Sequence, residues 1–322
     1  MKKIITVLLI STVLTGLLFA GARAETSENK IKVIATIFPQ YDWVREIVGE
    51  NSGKVEIILL EDSGVDLHSY QPTTEDIVKI SSCDLFIYTG GDSDEMIEDI
   101  LSKVDNPKRK VINLLESLGD LAVEEEHKEG MQEHEHEHEH EHEEMDEHVW
   151  LSLRNAVLLC REIEKNLSLL DPEHASSYSE NCSSYIEKLN NLDKKYTEAV
   201  EKGGFKTLVF ADRFPFRYMT EDYGLDYYAA FSGCSAESEA SFETIIFLAE
   251  KVDTLGLKYV LTIENSDQKI AGAVIRATKT GDQKILAMNS MQSVTSAAIE
   301  SGRTYLGTME ENLEVLSEAL RK

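Results

Sequence analysis

Basic residues are scarce in this chain: 32 Lys and Arg stand against 59 Asp and Glu, leaving a formal net charge of −27 at pH 7. That imbalance argues against nucleic acid or an anionic membrane face as a partner, and for a raised cation concentration near the surface. After the N-terminal stretch, no run is apolar enough to cross a bilayer. Only four cysteines occur, Cys83, Cys160, Cys182 and Cys234, and none has Cys-x-x-Cys spacing. This counts against a thiolate zinc site, and leaves three possible disulfide connectivities in an oxidising compartment. Cys160 and Cys182 lie on segments that read as an antiparallel helix pair, so they form the expected bridge. No Gly-x-Ser-x-Gly elbow and no Gly-rich phosphate loop is present, and His-Glu-x-x-His occurs only inside one low-complexity tract. The common hydrolase signatures are therefore missing.

The N-terminus carries Lys2 and Lys3, an apolar run over residues 4–20, and the small-residue ending Ala22-Arg23-Ala24. This pattern predicts a secretory signal peptide cleaved after Ala24, and a periplasmic or extracytoplasmic protein. No cysteine stands near the cleavage site, so a lipoprotein anchor is not expected. Roughly 300 residues remain, which suits two domains.

Residues 133–143 alternate Glu and His, with imidazoles at His134, His136, His138, His140 and His142. A tract with no apolar side chain cannot enter a core, so the sequence predicts a solvated, mobile loop, disordered over 124–146. Imidazole with carboxylate suits borderline divalent cations, zinc first, with copper and nickel as alternatives.

Short β-branched runs alternate with helical patterns along the chain, the signature of βα units and mainly parallel sheets. The runs fall at residues 32–38, 54–60, 84–89 and 110–115 in the first half, and 207–211, 225–231, 259–263 and 284–288 in the second. Helical stretches are expected at 74–81, 241–255, 268–280 and 305–321. Asp171-Pro172 reads as a helix start, and Tyr178, Cys182, Tyr185, Ile186, Leu189, Leu192, Tyr196 and Ala199 form one apolar stripe. A helix over 171–203 would be roughly 45 Å long, enough to join two lobes as a strut. The expected division is a signal peptide (1–24), an N-terminal metal-binding lobe (25–170), the linker helix (171–203) and a C-terminal lobe (204–322). The fold class is α/β, two (β/α) lobes with four-stranded, mainly parallel sheets.

In open α/β sheets, ligands bind beyond the carboxyl ends of strands. Residues in such positions include His68, Asp212 and Glu264, and His148 follows the His/Glu tract where an apolar pattern resumes. Two imidazoles and two carboxylates could thus meet in one cleft, two from each lobe.

The segment Val65-Asp66-Leu67-His68-Ser69-Tyr70-Gln71-Pro72, then His148-Val149-Trp150-Leu151-Ser152 after a His/acid-rich loop, resembles the zinc-uptake solute-binding proteins of ABC transporters. The similarity continues through Val209-Phe210 with Asp212, and through Ile263-Glu264. It implies two lobes joined by a rigid helix, a metal ion held between them, and delivery to a membrane permease by a monomeric protein that is not an enzyme. Carried over by position, His68 and His148 match the first two metal ligands and Glu264 the carboxylate of the second lobe. At the third ligand position this chain has Ala211, whose methyl cannot bind metal. Asp212, Glu237, Glu239 or a water molecule could complete the site, and Arg213 could pair with Asp212 and remove it.

Zn2+ is the expected cargo, with Mn2+ or Fe2+ as the alternative within the same family. From other classes, a zinc-storage or adhesin protein and a zinc-dependent hydrolase are the competing readings.

Overall fold

Eight parallel strands build two sheets of identical topology. A computed structural model describes residues 30–132, 144–235 and 239–322. The expected signal peptide and the alternating His/Glu residues lie outside the described residues. The first lobe runs β1 (Ile31–Ala35), α1 (Phe38–Val48), β2 (Val55–Leu59), α2 (Thr74–Ser82), β3 (Leu85–Tyr88), α3 (Glu95–Lys103), β4 (Lys110–Asn113) and α4 (Leu114–Leu118). Two helices follow, α5 (Leu153–Leu170) and α6 (Ala175–Lys202). The second lobe runs β5 (Thr207–Phe214), α7 (Arg217–Tyr223), β6 (Asp226–Ser232), α8 (Phe242–Leu255), β7 (Tyr259–Ile263), α9 (Lys269–Ala277), β8 (Lys284–Met288), α10 (Ser296–Glu300) and α11 (Tyr305–Ala319).

The strand orders are β2-β1-β3-β4 and β6-β5-β7-β8. Every pairing is parallel. In each sheet the chain winds first to one side of its starting strand and then to the other. That reversal opens a crevice at the strand carboxyl ends, where backbone groups face a potential ligand rather than a crossover. All eight strands fall on the runs expected from sequence, so the fold is the α/β, two-lobed architecture anticipated. The beginning differs: β1 ends at Ala35, because Phe38-Pro39 opens α1 with proline in its first turn, where a missing N–H costs nothing.

The strut is a single unbroken helix. Its 28 residues correspond to about 42 Å, and Tyr178, Cys182, Tyr185, Ile186, Leu189, Leu192 and Tyr196 bury one face as the apolar stripe required. It begins at Ala175 rather than at Pro172. Asp171 instead accepts hydrogen bonds from His174 Nδ1 and Tyr178 Oη, each at 2.8 Å, which fixes the preceding turn. The principal core is continuous through Ile87 of β3, Leu189 of α6 and Phe210 of β5, so the two lobes share one apolar interior.

The expected Cys160–Cys182 bridge is absent. These residues do meet across the α5–α6 pair, but Cys182 Sγ lies 3.5 Å from the Cys160 carbonyl oxygen and all four cysteines are free thiols.

The ends of the acidic segment also depart from a disordered loop. Glu124 and Met145 form a β-bridge, Gln132 N–H donates to the Ala230 carbonyl at 3.0 Å, and Tyr227 Oη donates to Glu126 at 2.9 Å. Residues 124–132 and 144–146 are thereby anchored, partly on the second lobe.

Asp42, on α1, ties the first lobe to α11. Its carboxylate accepts from Tyr305 N–H at 2.7 Å and sits 2.7 Å from Arg45 Nη2. Burial pushes its pKa up to about 6, against the Tyr305 amide and Arg45, which favour the charged form. Because the folded value lies above the unfolded one, its stabilising contribution is complete below about pH 4 and is lost as pH rises through about 6. Asp42→Asn keeps an acceptor for Tyr305 and removes this titration. Urea midpoints at acidic and neutral pH should therefore fall less with rising pH in the variant; an unchanged fall would assign the dependence to other groups.

Candidate metal site

Short turns position both histidines. Asp66 caps the 3-10 turn Leu67–Ser69 by accepting from His68 N–H at 3.1 Å. Asp146 does the same for His148, accepting from its backbone N–H at 2.9 Å and lying 2.9 Å from its ring Nδ1. His68 Nδ1 rests 2.7 Å from Ser93 Oγ, on the turn after β3, and 3.5 Å from Glu147 Oε2. With Nδ1 of each ring engaged, Nε2 is the nitrogen left facing inwards. The two Nε2 atoms are 3.2 Å apart. His148 is fully buried, and its ring packs 5.3 Å from that of Trp150.

The side-chain amide of Gln292, beyond β8, stands between them, its Nε2 at 2.8 Å from His68 Nε2 and 2.9 Å from His148 Nε2. An amide nitrogen has only hydrogens to offer, and a ring lone pair is the partner that accepts one. As neutral Nδ1–H tautomers, both rings would turn a lone pair towards one point, the arrangement a divalent cation requires. Burial, then the neighbouring His148, pushes the His68 pKa down to about 3. For His148, burial disfavours charge but Asp146 outweighs it and holds the pKa up. Asp146 thus favours the charged ring, and a neutral His148 is the form that can offer Nε2 to a metal.

Gln292 also joins this pair to the second lobe's carboxylate. Ser290 Oγ lies 2.8 Å from Gln292 Oε1 and 2.7 Å from Glu264 Oε1, and Ser290 N–H donates to Glu264 Oε2 at 2.7 Å. Glu264 thus accepts from the Ser290 backbone N–H and hydroxyl, and the same hydroxyl lies against the Gln292 amide oxygen, so one chain of contacts runs from Glu264 to the histidines. Burial raises the Glu264 pKa despite those Ser290 contacts.

The second lobe also contributes Cys234, on the turn after β6. Its sulfur and one ring nitrogen from each of His68 and His148 lie within 4.8 Å of one another, the metal-ligating cluster among the described residues. Burial, then Glu125, Glu147 and Asp146, push the thiol pKa well above its usual range. The turn is held by Cys234 N–H donating to Glu125 at 2.8 Å.

The structure thus brings His68 and His148 together. Glu264 reaches them only through Ser290 and Gln292. Asp212 lines the same cleft, of about 500 Å³, but its carboxylate accepts from Arg213 N–H at 2.9 Å and does not join the cluster. The cause is a register shift in β5 between Phe210 and Arg213, which keeps Ala211 in the core. Arg213 does not take Asp212 as its ion-pair partner. It reaches across the cleft to Asp66 at 2.6 Å, and its Nη1 approaches the Ser235 carbonyl at 3.4 Å. Glu239 is exposed, and Glu237 lies outside the described residues.

Sequence reasoning missed Cys234 and Gln292. The signal was present: both follow strand carboxyl ends, the positions that had singled out His68 and Glu264. Cys234 was set aside for want of a Cys-x-x-Cys partner, a criterion for all-thiolate sites that does not bear on mixed ones.

Two parallel-sheet lobes, one long helix spanning them, and a histidine pair at their boundary define a two-lobed α/β binding protein. The chain belongs to the family described as zinc-uptake complex component A, periplasmic (ZnuA), whose model matches residues 33–319. It is 30% identical over 318 residues to the zinc-binding lipoprotein AdcA of Streptococcus pneumoniae strain R6, covering 99% of this chain and 61% of that protein. The high-affinity zinc uptake system protein ZnuA of Bacillus subtilis is 28% identical over 92% of this chain and 90% of its own length. Among solved structures, the Zn(II)-bound ZnuA-like domain of S. pneumoniae AdcA superposes with a TM-score of 0.71 at 27% identity, covering 91% of this chain and all of that one. The chain spans about three fifths of the length of the AdcA proteins it matches.

Proposed function

We propose that this protein captures Zn2+ outside the cytoplasm and hands it to the permease of an ABC transporter, with His68 and His148 as metal ligands. The observation that carries this reading is the pair of Nε2 atoms 3.2 Å apart, each ring held by a partner at its other nitrogen. Such preorientation is what outer partners supply to metal-binding imidazoles. Family membership and the named zinc-binding relatives support the same cargo. The affinity order for nitrogen and oxygen donors favours zinc over Mn2+ and Fe2+.

Capture requires Zn2+ to displace the Gln292 amide, whose nitrogen lies 2.8 Å from His68 Nε2 and 2.9 Å from His148 Nε2. Once Gln292 moves, the Ser290 contact to Glu264 loosens, and this carboxylate becomes available from the second lobe. Asp212 remains a peripheral acid that raises cation concentration in the cleft. The shared core and the Asp66–Arg213 pair support modest lobe movement rather than a wide hinge.

The His/Glu tract acts in this proposal as a weaker collector beside the ordered site. Calorimetry and tryptophan fluorescence on the full chain and on a chain lacking residues 133–143 test both ideas. The deletion should lower total zinc stoichiometry and spare a site tighter than about micromolar. Absence of that tight site from the full chain would defeat the capture reading, and its loss only on deletion would transfer the function to the tract.

A further inference from the structure

We propose that Cys234 is the third protein ligand, so that His68, His148 and Cys234 form a mixed imidazole–thiolate site selective for zinc and softer divalent ions over Mn2+. The inference rests on the capture reading above and specifies its chemistry.

Three observations carry it. The Cys234 sulfur and one ring nitrogen from each of His68 and His148 lie within 4.8 Å of one another, a spacing from which one ion can draw all three residues. Tetrahedral zinc holds sulfur at about 2.3 Å and imidazole nitrogen at about 2.0–2.1 Å, which places such ligand atoms within 4 Å of each other.

The two turns are also locked together. Arg213 bonds Asp66, which caps the His68 turn, and approaches the carbonyl of Ser235, the residue after Cys234. Gly233 packs so closely on His148 that an added Cβ would fall 2.9 Å from its ring and from the Phe214 carbonyl oxygen. No side chain fits there without displacing the ring or the strand, and glycine is what lets Cys234 approach.

Glu264 and Asp212, finally, are held by other groups as long as Gln292 contacts both histidines. Glu264 is clamped by Ser290, and Asp212 accepts from Arg213 N–H. Ala211, where a further ligand would be sought on β5, is in the core. A ligand from the turn after β6 replaces one from β5.

On binding, the S–H bond of Cys234 breaks, a sulfur–zinc bond forms, and the proton leaves to solvent through the cleft. A thiolate donor adds little for Mn2+, which prefers oxygen, and much for Zn2+ or Cd2+.

The test uses the full chain and Cys234→Ser, which preserves side-chain size. Zinc-edge X-ray absorption on the wild-type protein at one equivalent should show one sulfur at about 2.3 Å beside nitrogen and oxygen neighbours. The Co2+ form should show a thiolate-to-cobalt charge-transfer band, absent from Cys234→Ser. By chelator competition, Cys234→Ser should bind Zn2+ roughly 100-fold more weakly, with Mn2+ affinity changed less than about threefold. Tight zinc binding with a nitrogen- and oxygen-only shell would overturn this assignment and leave the capture reading standing. No tight zinc binding by the wild-type protein would overturn both.

Discussion

Replacing His148 with alanine is expected to weaken zinc binding roughly 10²–10³-fold. Apparent binding free energies for protein-held zinc are about 10–16 kcal/mol, shared among a few ligands, so losing one removes about 3–4 kcal/mol. His148 is the better choice for the test because its ring is wholly buried and its backbone anchor survives the change: Asp146 still accepts from the residue's N–H. Competition against a chelator of known affinity reads the effect directly. His68→Ala should cost a similar amount, and the double variant less than the sum, since one ion needs both rings. A loss smaller than about tenfold in His148→Ala would move the ion to other residues.

Trp150→Ala is expected to have the largest effect on stability, about 3–5 kcal/mol, the range for removing a fully buried large aromatic side chain. The cost has more than one source. Trp150 Nε1–H donates to the Ser290 carbonyl at 2.8 Å, and the Trp150 carbonyl accepts from Tyr305 Oη at 2.6 Å, so this residue joins both lobes. Its ring also packs against His148, which would lose its wall. Zinc affinity should therefore fall along with the denaturant midpoint. Trp150→Phe keeps most of the volume and loses the bond to Ser290, for which about 1 kcal/mol is expected. A Trp150→Ala midpoint close to wild type would show that the lobes are held together elsewhere.

Much of the fold was legible in the chain because strands and helices leave local periodicities. The β-branched runs marked all eight strands, and the stripe from Tyr178 to Tyr196 marked the long helix with its buried face. These patterns survive because a parallel strand or a strut buries its apolar residues wherever the rest of the chain goes. The helix start was placed too early, since Asp171 spends its carboxylate on His174 and Tyr178 rather than on a backbone cap.

The site was legible only in part. His68 and His148 sit in distinctive local motifs, and both arrive where one ion could hold them. The rest depended on contacts between residues far apart in sequence. Arg213 beside Asp212 suggested a local ion pair, yet it bridges the lobes to Asp66. Glu264 follows its strand as expected, but whether it meets an ion or a serine is decided by Ser290, on a different turn.

The sequence by itself determined the two-sheet α/β architecture, the strut between lobes and the two histidines. Each of these rests on residue periodicity or on a short contiguous motif. Only the tertiary structure decided that Cys234 joins the histidines, that Gln292 sits between them, and that Cys160 and Cys182 remain free thiols. Those outcomes depend on angstrom-scale distances between turns from different strands and lobes, fixed by packing of the shared core, and no local pattern encodes such distances.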